Sequence, residues 1–75
     1  MTKRIWHTKS TRQEKVLWLL KHQNMWEGWK DKGDPRQRDI FDAMVRDGLL
    51  SEKTYWKDPN FTSLIYEARR VRRMQ

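Results

Sequence analysis

The chain has 75 residues, a formal net charge of +7 at pH 7 and no cysteine. A chain of this length forms one domain with a small core, and the lack of cysteine excludes a disulfide framework and a thiolate zinc site. No stretch is apolar enough to cross a bilayer, and the N-terminal residues lack the apolar core of a signal peptide. We therefore expect a cytoplasmic or nucleoid-associated protein with no membrane association.

The positive charge is concentrated near both ends of the chain. Residues 1–15 carry five basic and one acidic side chain, and residues 67–75 carry four and one, whereas residues 16–66 carry eight of each. Clustered positive charge is typical of surfaces that bind nucleic-acid phosphate or an acidic protein. A frayed terminus, together with arginines favoured by the dipole at a helix end, would give the same pattern without any ligand.

The first nine residues show no hydrophobic period, which predicts a basic arm at 1–9 ahead of a single helical domain at 10–75. Lys3, Arg4 and Lys9 are the cations of this arm. Such arms can follow phosphates or enter a minor groove. Trp6 lies among these cations, and it is structural if it packs inside or a stacking surface for a base if it is exposed.

A first helix is predicted from the capping residues Ser10 and Thr11 towards Gly28, where helix propensity falls. Apolar side chains cover a wide face of this helix, which indicates packing against two neighbours. His22 has no second histidine or cysteine at ligand spacing. We interpret it as a boundary residue and not as a metal ligand.

The dipeptide Asp34-Pro35 predicts the start of a second helix, because aspartate caps the first turn and proline fits the first helical position. Gln37 stands where a capping box would place its second member. Gly48 suits the left-handed position that ends a helix. Charges of both signs alternate on the outer face, which is typical of a solvated surface with helical ion pairs.

Residues 49–66 are compatible with more than one structure. Ser51 can cap a short extra helix over 52–56, and a β-hairpin wing is the alternative because Thr54, Tyr55 and Trp56 favour strands. The Asp58-Pro59 cap signal favours instead a long final helix. That helix would bury an apolar stripe made of Phe61, Leu64, Ile65, Ala68 and Val71.

The expected fold is therefore all-α, a small three-helix domain that is similar in architecture to helix-turn-helix DNA binders. The linker before the last helix is longer than a standard helix-turn-helix turn. The likeness is one of architecture and identifies no family, so the functional argument depends on the charged side chains.

The outward face of the final helix is the main candidate site. It combines one aromatic side chain with four guanidinium groups, namely Tyr66, Arg69, Arg70, Arg72 and Arg73. Guanidinium groups form paired hydrogen bonds with phosphates and base edges. We expect a nucleic-acid-binding regulator or accessory factor with no cofactor and with duplex DNA as its ligand, to which Lys3, Arg4 and Lys9 add phosphate contacts.

Two other binding functions fit the sequence. A small adaptor or inhibitor of a polymerase or another nucleic-acid enzyme would use tryptophans as anchors and arginines against an acidic protein surface. An RNA or single-strand binder would stack bases on Trp6, Trp29 or Tyr66, provided that these rings are exposed.

Catalysis is not expected. The sequence contains no cysteine nucleophile, no glycine-rich phosphate loop and no metal-binding histidine motif. Two carboxylate pairs, Glu27 with Asp31 and Asp39 with Asp42, lie at helical spacing that would suit Mg²⁺. Their basic neighbours make surface ion pairing the simpler interpretation.

Overall fold

The structure is a computed structural model that describes residues 8–74. Its helices are α1 (Arg12–Lys21), α2 (Gln23–Trp26), α3 (Pro35–Arg46) and α4 (Pro59–Met74). Within this range the β pairing is limited to one isolated bridge between Thr8 and Leu50. The predicted all-α class is confirmed. None of the helices described is long and apolar enough to span a membrane.

The helix starts predicted at Thr11, Asp34 and Asp58 are confirmed. Each of these side chains accepts a hydrogen bond from a backbone N–H in the turn that follows, at 3.1, 2.9 and 2.7 Å respectively. Such a cap satisfies a donor that has no partner inside the helix. The role predicted for Gln37 in a capping box is wrong, because its side chain is fully buried and bonds within the core.

The end of α3 is also as predicted. Gly48 has a φ of +84°, the left-handed conformation that glycine adopts without strain. Its N–H donates to the Val45 carbonyl, and the Leu49 N–H donates to the Met44 carbonyl. This is the Schellman arrangement, which satisfies the last carbonyls of the helix.

The first helix is shorter than predicted, because α1 ends at Lys21 and the chain continues through His22 into a separate helix, α2. The Leu19 carbonyl accepts from the His22 backbone N–H and also from the Trp26 indole Nε1 at 2.8 Å. The His22 ring Nδ1 lies 2.7 Å from the Trp18 carbonyl. Because the Leu19 carbonyl bonds to the N–H three residues later and both carbonyls interact with side chains, the regular i to i+4 hydrogen bonding of the helix ends here.

Residues 49–58 form turns, and neither the extra helix over 52–56 nor the β-hairpin wing is found in the part of the chain described. The Thr54 N–H donates to Ser51 and the Asp58 N–H donates to Tyr55, each closing a single turn. A hairpin would need residues 61–66 as its second strand. Those residues instead lie inside α4, where Phe61 is fully buried.

The core lies where α4 packs against α1 and α3. The buried stripe of α4 is the predicted one, with Phe61, Leu64, Ile65 and Ala68 at 0% exposure and Val71 at the margin. Phe61 meets Phe41 of α3 edge to face, with ring centroids 5.5 Å apart. Burial of each large apolar side chain stabilises the fold by about 1.5–3 kcal/mol. This packing fixes which face of α4 remains at the surface.

Candidate nucleic-acid interface

After α1 the chain returns along α4 in the opposite direction. Trp26 lies beneath Arg72, whereas Trp29 lies beneath Arg69, one turn nearer the start of α4. Lys32, three residues further on, shares a groove with the first half of α4. The exposed face of α4 is therefore bordered by residues 26–32, which we call the return segment.

The Arg69 guanidinium lies close to two aromatic rings that also contact each other. Its guanidinium carbon lies 5.4 Å from the centroid of the Trp29 ring and 5.9 Å from that of Tyr66. The two rings meet edge to face at 5.0 Å with an interplanar angle of 72°. A cation over an aromatic face is attracted by the ring quadrupole, so Arg69 is oriented before any ligand arrives.

Arg72 has a similar support. Its guanidinium carbon lies 5.0 Å from the centroid of the Trp26 ring. Trp26 and Trp29 are themselves only 2% and 3% exposed. The sequence predicted four arginines pointing outward, but two of them, Arg69 and Arg72, lie partly buried against these indoles, whereas Arg70 and Arg73 are exposed.

A buried amide fixes the position of Trp29. Its indole Nε1 donates to the Gln37 side-chain oxygen at 3.1 Å. The Gln37 amide nitrogen donates to the Trp56 carbonyl at 2.5 Å and to the Thr62 hydroxyl at 3.0 Å. A buried polar group without partners is costly, whereas a fully bonded one holds its neighbours in a single arrangement. Gln37 therefore links α3, the 49–58 turns and α4 beneath Arg69.

The acidic side chain of α4 does not neutralise these arginines. Glu67 accepts from the Arg12 guanidinium of α1 at 2.6 Å, and Arg12 also donates to Ser63 at 2.9 Å. The other ion pairs found between residues 8 and 74 join Arg36 to Asp34 and Arg46 to Asp47. No acidic partner within that range pairs with Arg69, Arg70, Arg72 or Arg73, the four residues that we call the arginine face.

The arm residues predicted to join this surface are placed differently or lie outside the described range. Lys3 and Arg4 fall outside residues 8–74. The Lys9 backbone N–H donates to the Leu49 carbonyl at 3.3 Å, and the residue borders a depression formed with Val45 and residues 50–53. Lys9 therefore lies against the 49–53 turn, whereas the arginine face lies against the return segment.

Sequence reasoning did not assign Trp26 and Lys32 to the site, and it considered Trp29 only as an exposed ring for stacking bases, which its 3% exposure contradicts. The charge count hid Lys32, because Glu27 and Asp31 balance the lysines of the return segment. The usable signal was the spacing of the two tryptophans, which lie three residues apart just before the Asp34-Pro35 helix start. Two large rings at this spacing indicate a packed segment between the first and second predicted helices, where the chain changes direction.

Among the residues that the structure describes, no three His, Cys, Asp or Glu side chains are grouped so that they could hold a metal ion. The geometry provides two arginines supported by aromatic rings, two exposed arginines and a partly exposed tyrosine on one helix. No protein-family model, no curated protein and no solved structure matches the chain, so the functional interpretation rests on this geometry.

Proposed function

We propose that the protein binds nucleic acid through the arginine face and that duplex DNA is its ligand. The supporting observation is that these four cations share one helix and have no acidic partner among residues 8–74. Phosphate groups would supply the missing anions, and guanidinium forks match phosphate oxygens in pairs. Binding of this kind suits a regulator or accessory factor, without catalysis or a cofactor, in the cytoplasm or nucleoid.

The exposed arginines and the arginines supported by tryptophans would have different roles in binding. Arg70 and Arg73 are exposed and can follow a phosphate backbone. Arg69 and Arg72 are held by Trp29 and Trp26, so less side-chain freedom is lost when they bind. A supported guanidinium is also suited to base edges, since the bidentate geometry used there requires a fixed orientation.

The placement of the tryptophans favours nucleic acid over an acidic protein partner. Interface anchors are aromatic side chains that a partner can cover, but Trp26 and Trp29 are already inside the core. Between residues 8 and 74 the large apolar side chains that are exposed are Leu17, Tyr55, Tyr66 and Met74, with no tryptophan among them. Trp26 and Trp29, the two tryptophans next to the arginine face, therefore cannot serve as anchors for a protein partner.

The proposal is tested by titrating a fluorescent blunt duplex and measuring anisotropy. The variant R70A/R73A removes two exposed arginines from α4, and R38A/R46A removes two exposed arginines from α3, so both lose the same charge. We expect R70A/R73A to weaken binding at least about tenfold, since hydrogen bonds to charged groups contribute roughly 1.5 kcal/mol or more each. The α3 variant should change the affinity by less than about threefold, because its arginines lie outside the arginine face and only their salt-screened, long-range attraction to DNA would be lost.

Equal weakening by the two variants would show that only net charge matters and would contradict a specific arginine face. The same titration with single-stranded DNA and with RNA of equal length separates the nucleic-acid alternatives. If neither variant alters the binding of any of the three ligands, the arginine face is not the binding site.

A further inference from the structure

A groove of about 360 Å³ runs along α4 from Pro59 to Arg70, where it meets the arginine face. Pro59, Thr62, Tyr66 and Arg70 line one side of it, at spacings of three and four residues that place them on one stripe of the helix. Ser63 lies next to that stripe. Lys32 closes the other side from the return segment.

The lining combines an aromatic ring with two cations. Tyr66 is 41% exposed. Lys32 and Arg70 are both exposed and border the groove together with this ring. Pro59 adds an apolar surface to the lining. A phosphate alone needs the cations only, whereas the aromatic and apolar lining suits a flat ring, and the combination is the one used to hold bases of unpaired strands.

Some polar groups of the groove already have hydrogen-bond partners, which restricts the ligands that the groove can bind. The Thr62 hydroxyl bonds to the Gln37 amide and to the Asp58 carbonyl. The Ser63 oxygen accepts from Arg12, and the hydroxyl hydrogen remains as a donor. The groove therefore offers two cations and the Ser63 hydroxyl hydrogen as a donor, which suits an anion.

Tyr66 is held in place before a ligand binds. The edge-to-face contact with Trp29 at 5.0 Å fixes one side of the ring, and Gln37 in turn holds Trp29. Arg69 lies 5.9 Å from the same ring. A fixed aromatic surface loses little freedom when a base stacks on it, so the groove is prepared for a planar ligand.

We propose that this groove holds one unpaired nucleotide, with its base stacked on Tyr66 and its phosphate between Lys32 and Arg70. The inference rests on the proposed function and adds to it the form of the ligand. A paired base inside a duplex has both faces covered by its neighbours, so it cannot stack on a protein ring unless it leaves the helix. A base beyond the end of the paired region is already free to do so.

The favoured ligand is accordingly duplex DNA with a short single-stranded extension. The arginine face takes the phosphates of the paired region, while the groove takes a nucleotide of the extension. Both surfaces lie on α4 and share Arg70, which lies between Tyr66 and Arg73. One strand can therefore pass from one surface to the other without a gap.

The experiment compares a blunt duplex, the same duplex with a three-nucleotide extension, and the same extension without bases. With the native chain we expect the base-bearing extension to bind roughly fivefold or more tighter than either other ligand. Tyr66→Leu should bring the ratio of the affinities for the base-bearing and base-free extensions to about one; the readout is this ratio within one variant, because Tyr66 also contacts Arg69 of the arginine face. Tyr66→Phe should retain the native preference. Tyr55→Leu, which removes a tyrosine that is 55% exposed elsewhere, is the matched control and should behave like the native chain.

The three ligands separate failure of this inference from failure of the proposed function. If the blunt duplex binds but the extension adds nothing, the nucleotide groove is overturned and the arginine face survives. An extension without bases that binds as tightly as the complete one also overturns the groove, since phosphate alone would then explain the gain. If no ligand binds, both proposals are overturned. These comparisons use the native chain, so they do not depend on whether Tyr66→Leu folds.

Discussion

Two charged helix faces of this protein differ in what surrounds their arginines. On α3, Arg36 pairs with Asp34 at 3.0 Å and Arg46 pairs with Asp47 at 3.6 Å. On α4, the four cations of the arginine face have no such acids within residues 8–74, and two of them lie over indole rings. A count of arginines would rate the two faces as similar. The acids and rings beside them distinguish a balanced surface from one that can receive an anion.

Removal of the ring beneath Arg69 should have the largest effect. Trp29→Ala deletes a side chain that is 3% exposed, and we expect it to lower the free energy of unfolding by about 3–5 kcal/mol. Urea denaturation measures this change. The loss would show that the ring which lies against Arg69 belongs to the core, whereas no such ring lies beneath the arginines described on α3. Trp29→Phe keeps a ring at this position and should cost clearly less; an equal cost would contradict the role given to the ring.

The amide that fixes Trp29 should have the next largest effect. Gln37→Leu removes the acceptor for the Trp29 indole and the donor to the Trp56 carbonyl. Leaving buried polar groups unpaired costs about 1–3 kcal/mol, and the loss is again measured by urea denaturation. Gln13→Ala, at an exposed position on α1, is the control and should stay within about 0.5 kcal/mol. A Gln37 variant as stable as the native chain would exclude the amide as a positioning group.

Replacing one arginine from each face should change the free energy of unfolding by a smaller amount. Arg72→Ala removes a cation over Trp26 and should cost about 0.5–1 kcal/mol. Arg46→Ala removes a 75% exposed side chain that pairs with the adjacent Asp47 at 3.6 Å, and we expect a cost at the low end of the roughly 0–1 kcal/mol that exposed ion pairs contribute. Thermal denaturation of both variants at one salt concentration tests the ranking. The reverse order would mean that the indole does not hold Arg72.

A pH titration tests how much the ionised Asp34 carboxylate, which caps α3, contributes to stability. Backbone hydrogen bonding from Arg36 is the main cause that lowers the pKa of Asp34 below its ordinary value of 3.8. The unfolded chain therefore takes up a proton at this site before the folded chain does. The stability that the ionised carboxylate gives above pH 3.8 should be lost as the pH falls through the lowered pKa.

Asp34→Asn should remove that part of the acid dependence. The difference in urea midpoint between the native chain and Asp34→Asn should shrink as the pH falls from 5 towards 2. A constant difference across this range would show that the carboxylate charge is not what stabilises the cap. Glu52→Gln, an exposed acid in the 49–58 turns, serves as the matched control.

Much of the fold could be predicted because its signals are local. The caps at Thr11, Asp34 and Asp58 each involve one side chain and the backbone that follows it. The break at His22 could not be predicted, because it involves the Trp26 indole bonding to a carbonyl seven residues earlier. That contact exists only once the chain has turned.

The candidate site likewise has one part that could be predicted from the sequence and one part that could not. Tyr66 and the arginine face share one surface of a single helix, so their spacing in the sequence was enough to group them. Trp26, Trp29 and Lys32 join that surface because the return segment runs back along α4. Long-range packing determines this route, and the neutral charge count of the middle of the chain gave no hint of it.

The dependence of duplex affinity on salt tests most directly whether the arginine face binds backbone phosphates. The logarithm of the binding constant should fall linearly with the logarithm of the KCl concentration for the native chain. Each lost phosphate contact should reduce the slope by roughly 0.9, so R70A/R73A should be shallower by about 1.8, whereas R38A/R46A should keep the native slope. Identical slopes for all three proteins, or binding that does not vary with salt, would contradict the account.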